Sequence, residues 1–192
     1  MSASGRGRKR VENDCYQTPG WAIRSILERL GPSTLALDPA CGDGYILTEL
    51  VNTGLHKQVV GFDIDPERAE QTTGFGGHMC VVRDALAASG WNEFGVPDLV
   101  VMNPPYALAL EFVQRAINEV YQINGTVAAL LRLNWLASKR RKEFHINHPS
   151  DVYVLSRRPS FTGGTHGKGA TDATEYAWFV WGPGRGNRWF VL

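Results

Sequence analysis

Apolar residues in this chain fall into short blocks with two different rhythms. Five near-continuous runs, Thr34–Asp38, Gln58–Phe62, Met79–Asp84, Pro97–Met102 and Thr126–Leu133, have strand length and no strict alternation, the pattern of strands covered on both faces. Helical spacing fills the gaps between them. Ile23, Ile26, Leu27 and Leu30 form one stripe, with Thr18 as the predicted N-cap, Pro19 at the first helical position and Gly31 as the stop. Further helices are predicted from Tyr45 to Asn52, from Pro66 with Asp65 as its cap, and from Ala109 to Tyr121, where Phe112, Ala116 and Val120 share a face. Strand and helix alternate from Thr34 to Leu133, which predicts an α/β fold: a doubly wound, mostly parallel sheet with helices on both faces. Two more strands, Val152–Leu155 and Tyr176–Trp181, are joined by a long glycine-rich segment.

The polar residues that interrupt this pattern sit at strand ends. The fourth run stops at Asn103-Pro104-Pro105-Tyr106. Two prolines cannot continue a ladder, because neither has an N–H to donate, and each holds its predecessor extended. The Asn103 amide, the Pro104 carbonyl and the Tyr106 ring are therefore presented at the carboxyl edge of the sheet, where open α/β sheets bind ligands. Two acceptors beside an aromatic face suit methylation of a planar, weakly nucleophilic nitrogen. The acceptors take its two N–H bonds and bias it toward tetrahedral geometry, and Tyr106 holds the acceptor plane for in-line attack. A turn that merely ends a strand is the plainer alternative.

Three further strands end in acids: Asp38, Asp63 and Asp84. Asp38 opens Asp38-Pro39-Ala40-Cys41-Gly42-Asp43-Gly44, a small-residue loop in which Gly42 and Gly44 let a ligand approach the backbone. An acid there suits a cationic ligand better than a pyrophosphate. Asp63, 25 residues later, stands where a ribose diol is bound in related topologies, with Ile64 covering a ring face.

Taken together, Asn-Pro-Pro-Tyr and Asp-Pro-Ala-Cys-Gly-x-Gly resemble the motifs of amino-group methyltransferases that use S-adenosylmethionine, above all the adenine-N6 DNA methyltransferases. Tyr16-Gln17-Thr18-Pro19-Gly20-Trp21 is similar to the segment before the cofactor loop in their small phage-type members, and the motif order resembles their gamma arrangement. The resemblance implies a Rossmann-like, class I methyltransferase fold in which the last two strands form an antiparallel hairpin. It implies Asn103, Pro104, Pro105 and Tyr106 as catalytic residues. Cofactor contacts follow at Tyr16, Thr18, Asp38, Pro39, Ala40, Cys41, Gly42, Gly44, Asp63, Ile64, Asp84 and Asn103. Asp84 would contact the exocyclic amine of the cofactor adenine, and the Thr18-Pro19 turn the methionine end. The expected reaction is direct methyl transfer to N6 of adenine in DNA, with the base flipped out of the duplex. RNA adenine is not excluded. Glutamine-N5 methyltransferases share Asn-Pro-Pro-Tyr, but with a Gly-x-Gly-x-Gly loop and a helical N-terminal domain that have no counterpart here. An inactive nucleic-acid-binding module is the reading from another class.

Charge adds a partner. The net charge is +1, yet residues 35–125 carry twelve acids against four bases, while the segments before and after carry +3 and +6. An acidic middle between basic ends suits a cation at the centre and a polyanion at the rim. Arg6, Arg8, Lys9 and Arg10 lie in a basic tail, residues 1–14, expected to be disordered: a phosphate-contacting arm or a solvated tail. Lys139, Arg140 and Arg141, with Lys142, sit on a predicted helix and cannot all face one partner; they contact phosphate or form a solvated face. Phe161 is the candidate for a second aromatic wall, and His166 reads as a loop or phosphate contact. Residues 15–192 are expected to be a single domain, with no separate target-recognition domain. Cys15, Cys41 and Cys80 have no metal-ligand spacing, which predicts no zinc site, no disulfide framework and a reducing, cytoplasmic setting, the host cytoplasm if phage-encoded. No apolar run reaches the ~20 residues of a membrane span.

Overall fold

The computed structural model describes residues 17–74, 76–161 and 174–192. The expectations for the basic tail, for Tyr16 and for His166 lie outside the described residues. Eight strands form one sheet: β1 (Ser33–Asp38), β2 (His56–Asp63), β3 (Met79–Val82), β4 (Leu99–Met102), β5 (Thr126–Arg132), β6 (Asp151–Val154), β7 (Tyr176–Trp181) and β8 (Trp189–Val191). Their order is β3-β2-β1-β4-β5-β7-β6-β8. β1 to β5 are mutually parallel, β7 runs antiparallel to both β5 and β6, and β8 is parallel to β6. The doubly wound parallel sheet and the terminal antiparallel pair are thus as expected. β8 was not: its three residues are all exposed, so no alternation marks them. Phe190 stacks on Tyr153 at 4.5 Å, and Arg188 holds the fully buried Asp151 with two hydrogen bonds of 3.0 and 2.5 Å, which ties β8 to β6.

Strand residues alternate between two apolar layers. Leu99, Val101, Leu130 and Trp178 face Ala22, Ile23 and Ile26 of α1 (Gly20–Leu27) and Leu47 and Leu50 of α2 (Tyr45–Asn52). Val100, Met102, Ala129 and Phe179 face Phe112, Val113 and Ala116 of α4 (Ala109–Val120), the element after α3 (Pro66–Thr72). Each fully buried large side chain contributes about 1.5–3 kcal/mol, so both layers are needed. Two boundaries differ from expectation. α1 begins after Pro19, which is extended at φ −60°, ψ 134°, and Thr18 makes no capping bond. The basic segment starts as a 3-10 turn, Lys139–Arg141, before α5 (Lys142–Asn147).

From β1 the chain steps outward through β2 and β3, then crosses to β4 on the other side. The order therefore reverses between β1 and β4, and the chains leaving their carboxyl ends diverge into a crevice. The opposite edge is fastened by Asp98, whose carboxylate accepts from the backbone N–H of Thr34 and of Leu35 at 2.8 and 2.9 Å. Among the described residues, no helix is long and apolar enough to cross a membrane.

Candidate active site at the topological switch point

A cavity of about 730 Å³ opens at the carboxyl ends of β1, β2, β4 and β5. Its lining gathers Thr18, Asp38, Pro39, Ala40, Cys41, Gly42, Asp63, Ile64, Asp84, Asn103, Pro105 and Tyr106 from the sequence-derived set. Gly44, Pro104, Phe161, Lys139, Arg140 and Arg141 are not among its lining residues.

The loop after β1 is drawn tightly against β2. Asp63 accepts from the Gly42 N–H at 2.8 Å, the Cys41 N–H donates to the Phe62 carbonyl at 2.9 Å, and the Thr72 hydroxyl donates to the Gly42 carbonyl at 3.1 Å. Gly44 takes φ +74°, and a Cβ there would lie 2.4 Å from the Thr72 methyl, so glycine is required where the loop turns into α2. The loop also brings Cys41 to 3.0 Å from Cys80 of β3, sulfur to sulfur, as buried free cysteines. The hydrogen bond to Cys80, and then burial, push the Cys41 thiol up, so it stays protonated.

The three strand-tip acids share one local device. Asp38 accepts from the Ala40 N–H at 3.1 Å, Asp63 from Asp65 at 2.9 Å and Asp84 from Leu86 at 3.0 Å. Each is a bond from a carboxylate to the backbone two residues on, which sets the acid's direction as the chain leaves the sheet. The capping acid of α3 is Asp65, bonded to the N–H groups of Glu67 and Arg68. Asp38 is the electrostatic centre of the group. Burial foremost pushes its carboxyl up to about 8, the Ala40 N–H opposes this, and Asp63 adds repulsion. A cation beside it would restore the carboxylate.

On the β4 side, the Asn103 Nδ2 donates to the Thr18 hydroxyl at 2.9 Å across 85 positions of chain. Its Oδ1 is buried without a hydrogen-bond partner among the described residues. A buried acceptor is costly to leave unpaired, so a native instance calls for an explanation. Tyr106 follows on a short 3-10 turn, with the Arg132 guanidinium 4.8 Å above its ring and the Tyr176 ring 6.0 Å away. Phe161 is buried edge-on against Tyr176 at 5.0 Å, one ring further from Tyr106 than a second wall would be.

Arg132 went unnoticed in the sequence. The signal was there: a lone cation closes the apolar run next to the Asn103 strand. The basic segment divides. Arg141 turns inward, its guanidinium 4.4 Å over Trp135 and its Nε donating to the Trp135 carbonyl at 2.7 Å, while Arg140 pairs with Glu111 at 3.0 Å and Lys139 is exposed. Among the described residues, no group of three or more His, Cys, Asp or Glu side chains is arranged to hold a metal ion.

No protein-family model matches the chain. Over 152 residues it is 24% identical to the type II methyltransferase M.CvrRI of Paramecium bursaria Chlorella virus XZ-6E; the match covers 69% of this chain and spans about two fifths (39%) of that protein. Among solved structures, a proposed RNA methyltransferase from Pyrococcus horikoshii, PH1948, superposes with a TM-score of 0.66 at 16% identity, covering 88% of this chain and 87% of the other. TrmK of M. capricolum, solved with S-adenosylhomocysteine, gives 0.61 at 13% identity, over 88% and 71% of the two chains. A dimethyladenosine transferase from Plasmodium falciparum gives 0.58 at 15%, over 87% and 62%. By its strand order, its switch-point cavity and these likenesses, the chain has the fold of the Rossmann-like, class I methyltransferases.

Proposed function

We propose that this chain transfers a methyl group from S-adenosylmethionine to an exocyclic amino nitrogen, N6 of adenine in DNA, with the base flipped out of the duplex into the cavity. The observation that carries the reading is the buried, unpartnered Oδ1 of Asn103 beside the ring of Tyr106. An acceptor with no donor among the described residues fits a ligand that brings an N–H. The first half of the cavity fits the cofactor. Asp38, held near neutrality at about 8 by burial, suits a cationic aminoacyl group, and Ile64, 58% exposed at the rim, offers an apolar face for a ring. When bound, S-adenosylmethionine supplies an electrophilic methyl on a sulfonium, whose C–S electron pair returns to a neutral thioether as the new N–C bond forms.

The chain's own residues then do positional work. Asp38, the Gly42 loop, Asp63 and Asp84 hold the donor in the β1–β3 half, while Asn103 accepts one N–H of the target amine. That hydrogen bond draws the nitrogen lone pair out of the ring system, and Tyr106 fixes the plane, so the attacking nitrogen is oriented before reaction. The methylated nitrogen is left cationic with one proton too many, which becomes acidic as the ring reclaims the lone pair and leaves to water, so neither Asn103 nor Tyr106 need keep it. DNA is favoured by the viral type II relative, and RNA adenine is the second reading, favoured by the RNA methyltransferases among the solved structures. Transfer of labelled methyl to unmethylated DNA, RNA and protein in parallel, with base analysis, tests it. Label in N6-methyladenine of DNA is the expected product. Label confined to RNA moves the acceptor, and no label in any of the three ends the proposal.

A further inference from the structure

An asparagine amide is nearly symmetric in shape but opposite in function at its two ends. If Asn103 is to accept from an amine, its oxygen must face the cavity and its NH2 must be satisfied elsewhere; turned over, it would point two donors at a donor. What satisfies the NH2 here is the hydroxyl of Thr18, 2.9 Å away. That hydroxyl belongs to a residue only 3% exposed, so the bond forms out of water, where an unpaired NH2 is costly. A hydroxyl can donate as well as accept, and it is an incoming N–H, which needs the amide oxygen, that makes the orientation with Thr18 as acceptor the productive one; Pro19, without an N–H, offers that oxygen no competing donor. The chain from Pro19 enters α1, whose Ala22, Ile23 and Ile26 are fully buried, and the Trp178 indole donates to the Ala22 carbonyl at 2.8 Å. Thr18 is thus carried on a fixed element, and its branched Cβ restricts its rotamer.

We propose that Thr18 is a positioning residue for methyl transfer: its hydroxyl holds Asn103 Nδ2 and so aims Oδ1 at the acceptor's N–H. This rests on the function proposed above, and it assigns Thr18 to the acceptor half rather than to the methionine end of the cofactor. The test uses the full chain with Thr18→Val, which keeps the shape and removes the oxygen, and Thr18→Ser, which keeps the oxygen. Thr18→Val is expected to lower kcat by about ten- to hundredfold, the scale of one orienting hydrogen bond. Binding of S-adenosylhomocysteine by calorimetry is expected to stay within about twofold of wild type, and Thr18→Ser to recover most of the rate. Weakened cofactor binding at unchanged kcat would overturn the assignment, as would an unchanged rate in Thr18→Val.

A second readout separates this proposal from the function it rests on. The Asn103 side-chain 15N–1H2 resonance, assigned by its loss in Asn103→Ala, is expected to be protected from solvent exchange in wild type and in Thr18→Ser but not in Thr18→Val. Protection without methyl transfer to any acceptor would sink the function while leaving the contact. Equal exchange in all three would sink the positioning role whatever the activity.

Discussion

The two halves of the cavity are held in place by different means. Around β1, β2 and β3, each acid is directed by an N–H two residues further along its own chain. At β4 the Asn103 amide is directed by a hydroxyl 85 positions earlier. The first arrangement forms wherever the strand and its turn form. The second exists only once α1 has docked on the sheet. The acids are thus directed first by their own turns, with Asp63 also accepting from Gly42, 21 positions earlier, while the Asn103 amide is directed wholly across the fold.

Three experiments would break or sharpen that contrast, the strongest effect first. Asn103→Ala removes the aimed group alone, so methyl transfer is expected to fall by at least about 10³-fold, beyond the loss of a single oxyanion donor. Cofactor affinity should hold, because the acids of the other half stay directed by their own backbone; calorimetry beside a transfer assay checks both, and joint loss would show the halves to be one unit.

Asp38→Asn acts on the other half and carries a pH signature. In the folded chain the carboxyl titrates at about 8, against an ordinary 3.8. The fold therefore binds the proton more tightly than the unfolded chain does, and stability falls as pH rises from 3.8 to about 8. Asparagine lacks that slope. The variant should gain on wild type by at most about 1.4 kcal/mol per pH unit across the window, read by denaturant titration at several pH values. Cofactor binding near pH 7 should release a proton in wild type and none in the variant, seen as a calorimetric enthalpy that depends on the buffer. A buffer-independent enthalpy in wild type would remove Asp38 from the cation site.

Arg140→Ala is expected to do least. Its pair with Glu111 is largely exposed, so stability should change by no more than about 0.5 kcal/mol. A salt-dependent fall in DNA affinity at that unchanged stability would make the segment part of the polyanion rim; unchanged affinity would leave it a solvated face.

The same contrast decides how much was legible in the sequence. The buried runs that became β1, β2, β4 and β5, the acids at their tips and the Asn103–Tyr106 exit were readable, because each depends on neighbours within a few residues. Asp65 as the cap of α3 was readable for the same reason. Thr18 was misread as a helix cap because the capping pattern is local and its actual partner is remote. The approach of Cys41 to Cys80 follows from pairing β2 with β3, which no spacing records. Arg141 turns inward because Trp135 offers it a ring face and a carbonyl. β8 left no trace, since a short exposed edge strand has neither buried run nor alternation.

The reversed strand β7 has an effect on how such a molecule can change. Since β6 runs with β5 and β7 against both, the connection between them leaves and re-enters the sheet on the same edge as the cavity. Its return point is anchored beside the end of β5, where Leu133 donates to the Glu175 carbonyl at 2.9 Å and Tyr176 pairs with Arg132. A change of length between β6 and β7 leaves the register of the strands that carry Asp38 and Asn103 untouched, because β1 and β4 pair with neither β6 nor β7. One antiparallel strand thereby uncouples the register of the cavity floor from the length of the chain that follows β6.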